Sequence, residues 1–143
     1  MPVYTEKRRV NFSAEQMFDL AADVEKYPEY LPWCSATRIT KREGDNIQAD
    51  MVIGFKMFRE KFTTKAKFDR PHRIDVSYHN GPFKYLRSHW IFESVDETSC
   101  VIDFHIDFEF RSMLLQKLIG KVFSEAVRLM IASFEKRAKK LYA

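Results

Sequence analysis

Asp103, His105, Asp107 and Glu109 stand at every second position of one segment and form the most site-like set of titratable side chains in the chain. Carboxylates beside an imidazole can hold a metal or pass protons between an acid and a base. The spacing argues against both uses here. A period of two places all four on one face of a strand and puts Cys100, Ile102, Phe104, Ile106, Phe108 and Phe110 on the other. The four polar residues then face water, away from any apolar interior, and read as a structural charge ladder. His72, His79 and His89 lack metal-ligand spacing. Cys34 and Cys100 lie far apart and outside any CxxC pattern, which argues against a disulfide framework or zinc site and fits a reducing compartment. The chain contains no GxSxG, Walker or HExxH motif. The sequence gives little support to an enzyme and directs attention to its apolar faces.

Those faces need elements to present them. Residues 3–12 read as a strand. Ser13 and Gln16 then form a capping box, with Phe12 and Met17 as a hydrophobic staple, so a helix is expected from Ala14 to about Ala22. Asp23 is expected to cap a second, shorter helix limited by Pro28, and residues 27–34 read as a loop rich in Pro and aromatics. Beyond it the period is two. Ala49, Met51, Ile53 and Phe55 share a face, as do Phe62, Thr64, Ala66 and Phe68. Ile74, Val76 and Tyr78 follow, then Leu86, Trp90 and Phe92. One dry and one wet face marks an antiparallel sheet. Turn signals fall at Glu43–Asn46, Arg70-Pro71 and Asn80-Gly81-Pro82. From about Ser112 to Tyr142 a helix is expected, with a stripe of Leu115, Ile119, Val122, Ala126, Met130, Phe134 and Leu141. The order is strand, two short helices, six strands, long helix: an α+β fold in one domain, residues 1–143, with a curved antiparallel sheet of about seven strands around that helix.

Composition sets bounds on function. Hydrophobic residues make up 45% and charged residues 31%, which excludes a disordered chain, and no apolar run reaches the ~18 residues of a membrane span. Aromatics reach 15%, with thirteen Phe against four Gly, enough to fill a core or line a large apolar cavity. The N-terminus has no apolar signal core, so the expected location is the bacterial cytoplasm, with the inner-membrane surface as the peripheral alternative; an already processed chain would read the same way. A net charge of +4 suits an anionic partner, phospholipid or RNA, without choosing between them. Lys136, Arg137, Lys139 and Lys140 suit a helix C-terminus, where cations meet the dipole.

LPWC at 31–34, IGFKMFREKF at 53–62, GPFKYLRSHWIFE at 81–93, DFEFRSMLL at 107–115 and FEKRAKKLY at 134–142 carry a resemblance that spans nearly the whole chain. They are similar to the coenzyme Q-binding proteins and the related bacterial ribosome-association toxins, both START-like helix-grip folds. The resemblance implies a hydrophobic cavity between sheet and helix, no catalytic machinery or catalytic cofactor, and ubiquinone or a similar isoprenoid lipid as ligand in support of respiration. Its other branch implies binding to the large ribosomal subunit and inhibition of subunit association. An aromatic-polyketide cyclase on the same fold ranks last, because the inward positions are nearly all apolar. In START-like sheets the first strand pairs with the last, which would set Lys7 and Arg9 opposite the polar ladder.

Periodicity does not decide between a packed core and a hollow one; the resemblance favours the hollow. The expected wall comprises Trp33, Met51, Ile53, Phe55 and Phe62, then Tyr78, Trp90, Phe92, Phe104, Ile106 and Phe108 from the sheet. Leu115, Ile119, Val122 and Met130 complete it from the helix. Pro32, Trp33 and Cys34, with Pro82 and Phe83, are expected at the mouth, and Met113–Ile119, apolar nearly all round, as a flap. A ten-isoprene tail needs on the order of 1,500 Å³ at roughly 30 Å³ per carbon, and typical pockets hold about 300–1,000 Å³. Only the headgroup and first isoprenes are therefore expected inside.

Overall fold

The computed structural model of the chain describes residues 3–31, 33–55, 58–120 and 123–142. Strand β1 (Val3–Val10) leads into α1 (Ala14–Ala22) through the capping box read from the sequence. Gln16 N donates to Ser13 Oγ at 3.1 Å and Ser13 N donates to Gln16 Oε1 at 3.0 Å. Met17, Phe18, Leu20 and Ala21 are buried, the face expected of an amphipathic helix. A 3-10 helix follows over Val24–Glu29 and carries Pro28 inside it. Asp23 makes no side-chain cap there; only its carbonyl engages, accepting from Lys26 N at 3.1 Å.

Six further strands complete the sheet: β2 (Cys34–Glu43), β3 (Asn46–Phe55), β4 (Phe58–Asp69), β5 (Arg73–Asn80), β6 (Phe83–Asp96) and β7 (Ser99–Phe110). All neighbours are antiparallel, in the order β1-β7-β6-β5-β4-β3-β2. The two short helices thus carry the chain from one edge of the sheet to the other. Bulges in β2, in β5 at His79, and at both ends of β6 bend the strands and give the sheet its curvature. At Gly81, φ is +144°, and an added Cβ would sit 2.6 Å from Phe62 Cβ, so the β5–β6 turn packs directly on β4.

The C-terminal helix is described as α2 (Met113–Gly120) and α3 (Phe123–Tyr142) on either side of residues 121–122. The buried stripe of α3 is Val127, Ile131, Phe134 and Ala138, one position on from much of the expected stripe. Ala126 and Met130 flank it and are half-buried. Leu141 is 50% exposed, because burial ends one turn earlier at Ala138.

The polar ladder lies on the outer face, as its alternation requires. Lys7 pairs in register with Asp103, but Arg9 falls opposite Val101 and misses the ladder. Its charges are balanced mainly from β6: Lys84 Nζ lies 3.1 Å from Glu109 and Arg87 3.6 Å from Asp107. His105 stacks on His89 with ring centroids 5.2 Å apart.

Candidate functional site: a hollow between two aromatic clusters

The dry faces of sheet and helix do not meet in one packed mass. One cluster gathers under α1 and α3 around Phe18, Trp90, Phe92, Phe104 and Phe134. A second, at the other end, comprises Phe62, Phe83, Leu86, Phe108 and Phe110. Edge-to-face and offset contacts hold each one: Trp90 to Phe104 at 4.6 Å and to Phe134 at 5.0 Å, and Phe83 to Phe110 at 4.7 Å. Between them lies a cavity of about 220 Å³. Protein interiors rarely leave a void larger than a water molecule. At ~30 Å³ per molecule, this one has the volume of about seven. The interior is hollow.

Local sequence explains where the gap falls. Along the dry row of β6, Leu86 and Trp90 are large, and between them stands Ser88. Its neighbours across the strands are Val76 and Ile106, both aliphatic and both in the wall. A small side chain flanked by branched aliphatics leaves room that rings on either side cannot fill. Ala126 does the same on the helix.

Of the residues expected in the wall, Trp33, Met51, Ile53, Phe62 and Trp90 line the cavity, as do Phe104, Ile106, Phe108 and Met130. Phe83, expected at the mouth, is part of the wall itself. Tyr78 stands behind it: its ring lies 5.4 Å from Phe83, and its hydroxyl accepts from Phe83 N at 3.2 Å. Phe92 is 1% exposed and faces Phe18 beneath α1, which covers that end of the sheet. Leu115 packs on the outer aromatic cluster without reaching the wall. Cys34 begins β2 and is buried in the core, so it belongs to no mouth loop. Pro82 is half-buried in the β5–β6 turn, and its carbonyl accepts from Arg111 N at 2.9 Å. Pro32 and Val122, and the side chains of Phe55 and Ile119, lie outside the described residues.

The wall also contains residues that the sequence reading did not select. Thr64, Val76, Leu86 and Phe110 belonged to the alternating dry rows, and Ala126 and Phe134 to the helical stripe, so periodicity had flagged their faces. Val127 is one step off that stripe. Tyr27, Leu31, Gly54 and Ser88 carried no periodic signal. Trp33 is anchored beside Gly54, whose amide donates to the Trp33 carbonyl at 2.7 Å.

Polar groups in the wall are few. Thr64 is buried at 4% exposure, and Ser88 is half-buried. The Tyr27 hydroxyl donates to the Ala21 carbonyl, and burial pushes its pKa well above the usual phenol range. Trp33 Nε1 is buried and has no hydrogen-bond partner among the described residues. Burial likewise pushes the Cys34 and Cys100 thiols up to about 11, which keeps them protonated and unreactive at neutral pH. Arg137 ties the site's helix to the 3-10 segment, bonding Glu29 at 2.9 Å and lying over the Tyr30 ring at 5.1 Å. A curved antiparallel sheet gripping a helix around an apolar hollow defines the helix-grip class of fold.

Comparison with known proteins agrees with that class. Residues 10–135 match the family described as polyketide cyclase / dehydrase and lipid transport, and the chain belongs to it. It is 37% identical over 133 residues to the ribosome association toxin RatA of Vibrio cholerae, covering 93% of this chain and 92% of that one. It is 31% identical to the mitochondrial coenzyme Q-binding protein COQ10 homolog B of Xenopus laevis, covering 97% of this chain and 59% of that protein's length. The fold is shared with a START superfamily protein from Mycobacterium smegmatis, at a TM-score of 0.86 and 18% identity over 97% and 98% of the two chains. It is also shared with the Zhui aromatase/cyclase of a Streptomyces species, at a TM-score of 0.87 and 13% identity over 97% and 94%. No helix among the described residues is long and apolar enough to cross a membrane.

Proposed function

We propose that the chain is a non-enzymatic binding protein for an isoprenoid quinone of the ubiquinone type, which it carries to and from a membrane. The observation that carries this reading is the hollow of about 220 Å³ with its almost wholly apolar wall. Each CH₂ removed from water there contributes about 0.8 kcal/mol. At ~30 Å³ per heavy atom the volume takes about seven, roughly the six ring carbons of a quinone, so the wall must yield to admit its oxygens and substituents. Met51 and Met130 in the wall have flexible side chains that can yield to its substituents. The tail then extends outside.

Exchange with a bilayer falls to α2. Met113, Leu114 and Leu118 are 78%, 67% and 57% exposed, beside the exposed Lys117 and Arg111. Leu115 on the same helix packs against the aromatic cluster that walls the hollow. Apolar side chains can enter the headgroup layer while each cation near anionic lipid adds about 1 kcal/mol. No His, Asp, Glu, Lys, Arg or Cys lines the hollow among the described residues, which supports a carrier over a cyclase. The coenzyme Q-binding relative supports the choice of ligand.

Organic extraction of the purified protein followed by mass spectrometry tests the reading. Stoichiometric ubiquinone is the expected result, and a protein purified from quinone-replete membranes without any isoprenoid lipid would overturn it. A second reading, association with the large ribosomal subunit, is favoured by the RatA relative and by the net charge of +4. Gradient sedimentation of cell extract separates the two. Co-migration with the large subunit, together with an empty lipid extract, would establish the second in place of the first.

A further inference from the structure

The outer face of the sheet is divided electrically. On its β6–β7 half the carboxylates Asp107 and Glu109 are each matched by a cation from β6. On the β2–β4 half the balance is reversed. Arg38 and Lys41 on β2, and Arg59, Lys61, Lys65 and Lys67 on β4, are all exposed and share the outward register. Against these six cations stands one mid-strand carboxylate, Asp50, with Glu43 and Asp69 at the strand ends. Asp50 is already engaged: it accepts from Thr63 Oγ1 at 2.6 Å and lies 4.0 Å from Lys61 Nζ.

Beside this row the sheet surface dips into a trough of about 500 Å³. Lys65, Lys67 and Arg87 edge it, with Asn46, Ser77 and the stacked His89–His105 pair. Asp75 also borders it, but its two carboxylate oxygens accept from Arg73 Nε at 3.0 and 2.9 Å. The surface is a cationic row, broken at Thr63, next to a polar depression.

We propose that this outer face, the β4 cation row with its trough, docks the phosphate backbone of structured RNA. The inference deepens the second of the two readings above and rests on it. Alternate residues on a strand stand about 6.7 Å apart, so Arg59 to Lys67 spans roughly 27 Å, with two cations on either side of Thr63. Two such pairs suit a polyanion whose charge repeats, and binding then draws on counterion release. The residues interleaved with the cations are hydrogen-bonding ones, Asn46, Gln48, Thr63 and Ser77, beside the half-buried Val52. A bilayer-docking face instead interleaves large apolar groups, and here those are on α2. A broad sheet face also fits the wide, shallow minor groove of A-form RNA, whereas the ~6 Å minor groove of B-DNA admits no sheet.

The test is a fluorescence-anisotropy titration of an RNA duplex of about 20 base pairs across a series of KCl concentrations. The variant pairs are K65A/K67A, R59A/K61A and, as a control on α3, K136A/K139A. Each β4 pair is expected to weaken binding tenfold or more and to reduce the log–log salt slope by about two, one per phosphate contact. The α3 pair is expected to leave the slope unchanged. Ubiquinone-1 binding, measured on the same variants, is expected to stay at the wild-type value because none of the substituted residues lines the hollow. Failure of quinone binding in the wild type therefore counts against the carrier reading alone. Equal losses from the α3 pair, or equal affinity and slope for a DNA duplex, would overturn the RNA assignment. So would capture of phosphatidylglycerol vesicles that depends on Lys65 and Lys67 while RNA goes unbound.

Discussion

Ser88→Leu separates a hollow interior from a packed one by the sign of its effect. Ser88 sits in the dry row of β6 between Leu86 and Trp90, with Val76 and Ile106 across the neighbouring strands. Leucine replaces one hydroxyl with three carbons. At about 0.8 kcal/mol per carbon buried this gains roughly 2.4 kcal/mol, and ordering the side chain returns about 0.5–1 kcal/mol. The ligand-free protein should therefore be stabilised by about 1–2 kcal/mol, a rise in Tm of roughly 3–8 °C for a chain of this size. The added carbons would occupy roughly 90 Å³ at ~30 Å³ each, a large share of the cavity of about 220 Å³. Quinone affinity should fall by at least tenfold. Urea unfolding of lipid-stripped protein measures the first effect, with the m-value as a check that the unfolded state is unchanged. In a filled core the same substitution would overpack and destabilise by about 1–3 kcal/mol, and that outcome would refute the reasoning.

Further predictions concern the frame around the hollow. Gly81→Ala should destabilise by about 2–3 kcal/mol, since it places a Cβ 2.6 Å from Phe62 Cβ at φ +144°; urea unfolding measures it. The Glu29 carboxyl is held below its usual value mainly by its hydrogen bond from Arg137, against the opposing effect of desolvation. A depressed folded pKa means this contribution is present above the unfolded value near 4.5 and is lost as pH falls from there through the lower folded value. Glu29→Gln should accordingly flatten the acid limb of a stability profile taken from pH 6 to pH 3. With pKa values raised to about 11, Cys34 and Cys100 should resist iodoacetamide at pH 8 until the protein unfolds, so that alkylation tracks the denaturation curve.

The sequence made the frame legible wherever a period was long enough to read. β7 shows nine residues of unbroken alternation from Ile102 to Phe110, and the capping box places the start of α1 to the residue. The same alternation put the polar ladder on the outer face, where the structure has it. The segment before β2 has no period, so Tyr27 and Leu31 were missed and Cys34 was assigned to a loop. The hollow itself could not be read, because periodicity reports which face is dry and says nothing of how far apart two dry faces stand. That distance depends on side-chain volume at particular crossings, such as Ser88 against Val76 and Ile106. Phe92 and Tyr78 illustrate the same limit: both are on dry rows, but α1 seals one into the core and Phe83 screens the other. Register adds that Arg38 and Lys41 of β2 share the outward face with the β4 cations, with Asp50 between them.

Photo-crosslinking with a ubiquinone analogue bearing its reactive group on the ring tests the central claim most directly. The account predicts adducts on wall residues such as Trp33, Ile106 and Met130, mapped by peptide mass spectrometry and suppressed in Ser88→Leu. Adducts confined to α2 or the outer face of the sheet, and unchanged in that variant, would contradict it.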